Sequence, residues 1–257
     1  ELAWAGDSSR VAYLADQDND DVFELYSSTP DGAAMNAKLS GALVAGGDVQ
    51  AFAWAPDSSR IAYRADALLD DRDELFTTLP TDNSSVVAIG DVLTPGGDVG
   101  AFSWASDSSR VAYLADQLVD DRVELFTSLP TGVGGTLRVS GATPVPDGDV
   151  LDFAWSPDAA FLGYLADHDL DEEFALFVAL PGVVESGTRL NGPLVANGDV
   201  AQFAWLSDSS LVLHMGDEQI DGTNELYASD PIAPGTSTEL SGALVNGGQV
   251  LEFDAVP

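Results

Sequence analysis

The sequence predicts an all-β fold, a five-bladed β-propeller of four-stranded antiparallel blades, and three observations predict it. Trp4, Trp54, Trp104, Trp155 and Trp205 recur at spacings of 50, 50, 51 and 50 residues. Residues 51–80 and 101–130 are identical at 22 of 30 positions. Each copy divides into four short apolar-rich stretches bounded by turn residues, with no helical periodicity. Fixed periods of ~20–50 residues mark solenoids, propellers or arrays, and four strands per ~50 residues is the content of a propeller blade.

The second copy shows each element most clearly. DVQAFAWA (48–55) is apolar on both faces, as a strand sandwiched between neighbouring sheets should be, and is taken as strand a. PDSS (56–59) carries the Pro and Asp of a type I turn. RIAYRAD (60–66) follows as strand b, DELFTTL (73–79) as strand c and VVAIGDVL (86–93) as strand d, before Gly96 and Gly97 lead into the next copy. The blades then span about 1–47, 48–97, 98–148, 149–198 and 199–247, in one domain of 257 residues. Strand a occurs almost six times. ELAWA (1–5) matches its second half and GQVLEFDAVP (248–257) the whole of it, so two segments compete for one place in blade 1. Either one completes the blade within the chain, or 248–257 adds as a strand to another copy of the molecule.

The repeated WAPDSSRIAYRAD followed by DELF resembles the WSPDG, IAF and IY signature of TolB-type, WD-repeat-like β-propellers, over essentially the whole chain. It is similar in particular to bacterial repeat proteins of the YRADQDxDGxxELY and LSGPLVxGGDV kind. Two departures stand out. Ser58 and Ser108 replace the usual glycine of PDG, and in blade 5 Leu213 is read as standing for the strand b tyrosine. Asp57, Asp107, Asp158 and Asp208 keep the turn itself.

Composition narrows the function. Net charge is -34, from 32 Asp and 11 Glu against eight Arg and Lys38. Nucleic acid is excluded as a partner, because phosphate binding needs clustered Lys and Arg. The excess of Asp over Glu places the charge in turns, where a short carboxylate bonds nearby N–H groups. There is no cysteine, hence neither a disulfide nor a thiolate metal site. No apolar run approaches the ~20 residues of a membrane span, and ELAWAGDSSR lacks the basic and apolar regions of a signal peptide, as in a mature or excised piece. A surface this acidic suits salty or extracellular water, where counterions screen self-repulsion, and the expected location is extracellular or at the cell surface.

In propellers of the resembled type, the b-to-c and d-to-a connections share one face. That face is expected to be strongly anionic here. The b-to-c loops DQDNDD, DALLDD, DQLVDD, DHDLDEE and DEQIDG all carry Asp at their first and fifth positions, whereas Arg10, Arg60 and Arg110 follow the a-to-b turns opposite. Asp16, Asp18 and Asp20, and again Asp167, Asp169 and Asp171, have the alternate spacing of calcium ligands, and calcium is the one cofactor expected. Asp48, Asp98, Asp149 and Asp199 precede the innermost strand and are candidates for a cation site at a channel mouth, or for carboxylates capping the d-to-a turn.

Chemistry finds little support. His168, read as lying in an exposed loop, and His214 are the only histidines, so a Ser–His–Asp arrangement has few ways to form. A peptidase would also need a hydrolase domain beyond these repeats. A glycosidase needs two carboxylates in unlike environments, whereas repetition supplies near-equivalent ones. The tryptophans are expected in inter-blade packing rather than sugar stacking. These readings lead to a non-enzymatic binding or scaffold propeller, meeting a protein partner or itself. A repeat lectin binding glycans between blades, or a glycosidase with carboxylates in a central cleft, are the alternatives.

Overall fold

A computed structural model describes residues 1–141, 145, 148–245 and 247–253. It is all-β, with five four-stranded antiparallel sheets, the blades of a five-bladed β-propeller. The chain forms two compact units. Unit 1 comprises Glu1–Arg122 and Phe126–Thr136, and unit 2 comprises Val123–Leu125 and Leu137–Pro257. Among the described residues no helix is long and apolar enough to cross a membrane.

Blade 2 sets the pattern with strand a at Val49–Trp54, b at Ile61–Ala65, c at Glu74–Thr78 and d at Val87–Ala88. Strands a, b and c fall where the sequence places them. Strand d is shorter than the expected 86–93, because after the bond from Ile89 N–H to the Leu75 carbonyl (2.9 Å) the chain turns away at Gly90 and Asp91. The register pairs Phe52 with Tyr63 and Tyr63 with Phe76, so one aromatic layer crosses the sheet. Tyr63 and Phe76 stack with ring centroids 5.3 Å apart. The same layer recurs as Tyr113 on Phe126 and, in unit 2, Tyr164 on Phe177.

In blade 5 the register sets Phe203 against His214 and His214 against Tyr227. His214, not the expected Leu213, therefore stands in the tyrosine's place, one residue further along the strand. Blade 1 takes its strand a from the N-terminal segment, Leu2–Trp4, with Leu2 opposite Tyr13 and Trp4 opposite Val11. At the other end Val250 donates to the Asn224 carbonyl (2.8 Å), and 254–257 lie outside the described residues.

Within each unit the blades are joined by bonds that repeat with the sequence. In unit 1 the Trp54 indole N–H donates to the Ala3 carbonyl and that of Trp104 to Ala53, both at 3.1 Å. In unit 2 Trp205 reaches Ala154 at 3.2 Å. These three tryptophans each spend their one donor on the strand a of the preceding blade, the packing role their alternation implies, whereas Trp4 is 52% exposed. The serines that replace the PDG glycine have a related use. Ser58 sits at φ 62°, a left-handed conformation that ordinarily favours glycine, yet its Oγ accepts the Asp7 N–H of the preceding blade (3.2 Å). Ser108 accepts from Asp57 and Ser209 from Asp158, each at 3.0 Å. A glycine would ease the backbone and lose the inter-blade bond.

Candidate functional site

The carboxylates singled out by the sequence separate into three structural roles. In blades 3, 4 and 5 the first Asp of the b-to-c loop is a two-sided turn anchor, whereas among the described residues Asp66 accepts only the Asp48 N–H (2.5 Å). Asp116 accepts Asp98 N–H on one oxygen (2.6 Å) and Asp121 N–H on the other (3.0 Å). In unit 2 Asp167 does the same for Asp149 (2.5 Å) and Glu172 (3.2 Å). The loop then closes through a left-handed residue, Asp71 at φ 60° or Asp121 at φ 62°, which Asp tolerates better than most side chains.

Asp48, Asp98, Asp149 and Asp199 form the second class. The Asp48 carboxylate accepts Phe23 N–H of blade 1 (2.6 Å), while Val49 N–H donates to the Phe23 carbonyl (2.8 Å). Asp98 holds Asp73 N–H the same way (2.8 Å). In unit 2 Asp149 holds Val123 N–H (2.7 Å) and Asp199 holds Phe174 N–H (2.8 Å). Each is a two-point staple onto the residue before strand c of the preceding blade. Charge-assisted bonds of this kind contribute about 1.5–3 kcal/mol each.

The middle Asp of the two DxD loops forms the third. Asp18 pairs with Lys38 Nζ at 3.3 Å, and Asp169 pairs with Arg189 at 3.1 Å. Both cations lie on strand d of the same blade, twenty residues on, which accounts for Asp at these two places. Asp20 and Asp171 make no hydrogen bond or ion pair among the described residues. Among those residues no group of three or more His, Asp or Glu side chains is gathered closely enough to hold a metal ion.

Both histidines are buried. His168 is 3% exposed, its ring tilted against Tyr164 and Phe177, which corrects the expectation of an exposed loop position. His214 stacks on Tyr227, and its Nε2 lies 3.0 Å from Glu218 Oε1. Ser237 Oγ donates to that same Glu218 oxygen (2.6 Å). The carboxylate stands between serine and imidazole, so the imidazole has no hydroxyl proton to take, the reverse of the order a nucleophilic triad needs.

A site that the sequence reading passed over lies in unit 1. A cavity of about 380 Å³ is lined by Arg64, Asp66, Asp71, Asp73, Asp98 and Gly100, among others. Arg64 projects from strand b, its Nε 3.2 Å from Asp73 Oδ2, and its Nη1 donates to the Val99 (3.3 Å) and Gly100 (3.0 Å) carbonyls. A second cavity of about 320 Å³ shares Arg64 and Gly100 and is walled by Ala51 and Ala101. Burial pushes the Asp73 carboxyl above its ordinary 3.8. Arg64 opposes that rise, and the nearby Asp98, Asp66 and Glu74 charges add to it.

The signal for this cleft is a break in the repeat. The Arg64 position is Leu14, Leu114, Leu165 and Met215 in the other blades, and that of Asp73 is Phe23, Val123, Phe174 and Asn224. Only blade 2 puts a charged pair there. Gly100 has room for a side chain, since a Cβ would come no closer than 3.7 Å to its neighbours, and Gln50, Leu151 and Ala201 stand in its place elsewhere.

No protein-family model matches the chain, and no curated protein does. Solved structures do match. A structure from a study of two prolyl endopeptidases is similar at 15% identity and TM-score 0.58, over 94% of this chain and 36% of its own. A puromycin-hydrolysing peptidase of Mycobacterium tuberculosis matches at 13% identity and TM-score 0.54, over 87% and 35%. Oligopeptidase B of Leishmania major matches at 15% identity and TM-score 0.55, over 86% and 29%. The chain thus spans about a third of the length of the structures it matches. These likenesses are to peptidases and run against the expectation of a non-enzymatic scaffold; at 13–15% identity they show the propeller fold.

Proposed function

We propose that this chain is the propeller portion of a peptidase, and that its part is to receive peptide substrate rather than to cut it. The observation that carries the reading is the match of nearly the whole chain to about a third of several peptidases. The placement of His168 and His214 in aromatic packing supports a catalytic centre supplied by sequence outside these residues. The TolB-type character of the repeats belongs to the same reading, carried by the WAPDSS and DELF segments.

The substrate preference follows from charge. A net charge of -34 draws cationic peptides toward the surface and raises their encounter rate. The unit 1 cleft then offers a place to hold one. Asp71 and Asp73 accept from a lysine or arginine side chain, while the Arg64 guanidinium, fixed by two carbonyls, takes a peptide carbonyl or carboxylate.

Calorimetric titration of the chain with an octapeptide alternating Arg and Gly, beside one alternating Glu and Gly, tests this. The reading predicts saturable binding of the Arg peptide, weakening steeply as salt rises, and no cleavage of either peptide by the chain alone. Cleavage by this chain, or equal binding of the two peptides, overturns it.

A further inference from the structure

The geometry points to a pocket in blade 2 as a docking site for a lysine side chain of a partner polypeptide, an apolar stem carrying a primary ammonium. The pocket shares only Val99 with the Arg64 cleft, and the inference does not depend on the peptidase reading.

The repeat supplies its own controls. In blade 1, Lys38 leaves strand d and its Nζ meets Glu24 of strand c and Asp18 of the b-to-c loop. In unit 2, Arg138 meets Glu124 at 2.7 Å, and Arg189 meets Asp169. Three blades thus lay a long cationic side chain across the end of strand c. Blade 2 has Ala88 at that position and Leu68 at the position of Asp18, while Glu74 is retained. The space is left open as a cavity of about 130 Å³ walled by Leu68, Leu75, Ala88 and Leu93. A ~150 Å³ apolar cavity holds a molecule the size of benzene, so a butyl stem fits.

Two more changes in blade 2 converge on this place. Ser40, Ser140, Asn191 and Ser241 each accept the N–H of the strand c leucine, at 3.2, 3.2, 2.9 and 3.3 Å. Blade 2 has Gly90 instead, which removes that acceptor from Leu75 and widens the pocket. The next residue is glycine in the other blades (Gly41, Gly141, Gly192, Gly242) but Asp91 here. Asp91 lines the pocket and makes no hydrogen bond or ion pair among the described residues. Glu74 is already met by Arg72, at 3.0 and 2.6 Å. Arg72 and Glu74 cancel, and the Asp91 charge is left for the incoming ammonium. The pocket has lost the cation that three of its four sister blades carry and has gained an unpaired anion beside apolar walls. That combination suits a lysine better than a leucine or a carboxylate.

The test is methyl NMR of the chain titrated with n-butylammonium and, separately, n-butanol. The expected result is saturable shifts of the Leu68, Ala88 and Leu93 methyls with butylammonium, and at least tenfold weaker binding of butanol. Asp91→Asn should weaken the amine at least fivefold. Ala88→Lys, at an exposed position that tolerates a long side chain, should fill the pocket from within and abolish the shifts. Equal binding of amine and alcohol, undiminished amine binding in Ala88→Lys, or no saturable shift in the wild type would each overturn the inference.

Discussion

Replacing Asp98 by Ala isolates one blade-to-blade staple. The carboxylate accepts Asp73 N–H at 2.8 Å, while the parallel bond from Val99 N–H to the Asp73 carbonyl (2.9 Å) and that from Asp98 N–H to Asp116 (2.6 Å) survive the change. What is lost is one charge-assisted bond, about 1.5–3 kcal/mol, and Asp73 N–H is left without its partner. Set against this is relief of like charge, since Asp98 is among the groups that raise the Asp73 carboxyl. Between partly solvated carboxylates that relief is worth about 0.2–1 kcal/mol. The balance is a loss of about 1–2 kcal/mol, or roughly 3–6 °C in Tm for a chain of this size. Asp98→Asn keeps an acceptor oxygen while removing the charge, and should stay within about 0.5 kcal/mol of wild type. Thermal unfolding by circular dichroism reads both. An unchanged Tm in Asp98→Ala, or equal losses in the Ala and Asn variants, would refute the staple.

Gln249→Asp should do the opposite. Val250 already bonds the Asn224 carbonyl, so a carboxylate at 249 completes the staple and raises Tm by about 1–3 °C. Trp104→Phe loses the indole bond to Ala53 and some packed volume and should cost about 2–3 kcal/mol, measured by urea unfolding. The pH dependence has two signs. Asp57 (bonded by Ser59 N–H), Asp158 (by the Ser156 hydroxyl) and Asp208 (by the Ser210 hydroxyl) are held below 3.8, so the stability they lend is complete above pH 3.8 and lost as pH falls beneath it. Asp73, held above 3.8, contributes most below that pH and loses its contribution as pH rises through its raised value. Asp73→Asn should therefore remove a decline in Tm on the rising-pH side and leave the acid decline in place.

Blade count, strands a to c and the packing of tryptophan were legible because repetition averages out local ambiguity. A tryptophan every 50 or 51 residues fixes the period, and alternation along each copy fixes which side chains turn inward. Strand d read too long because its apolar residues continue past the point where Gly90 and Asp91 end the ladder. The blade 5 alignment slipped because VLHMG carries no aromatic hydrocarbon to mark the register, and the pairing with Phe203 decides it. The loop aspartates were visible as residues but not as roles. Whether a turn carboxylate meets a backbone N–H or a cation depends on a partner in another blade, or on strand d twenty residues on, and spacing alone does not show it. Arg64, Asp73 and Ala88 were passed over for another reason. Repetition marks what the copies share, whereas the cleft and the pocket sit where one copy departs from the rest.

If blade 2's departure makes a place for cationic peptide, its carboxylates carry the binding. The direct measurement compares binding of the Arg–Gly octapeptide by the wild type, by Asp71→Asn with Asp73→Asn, and by Asp20→Asn with Asp221→Asn, which removes the same charge from exposed loops elsewhere. The account predicts at least a tenfold loss for the cleft pair and less than a twofold loss for the loop pair. Equal losses in the two pairs would reduce the binding to bulk charge and contradict it.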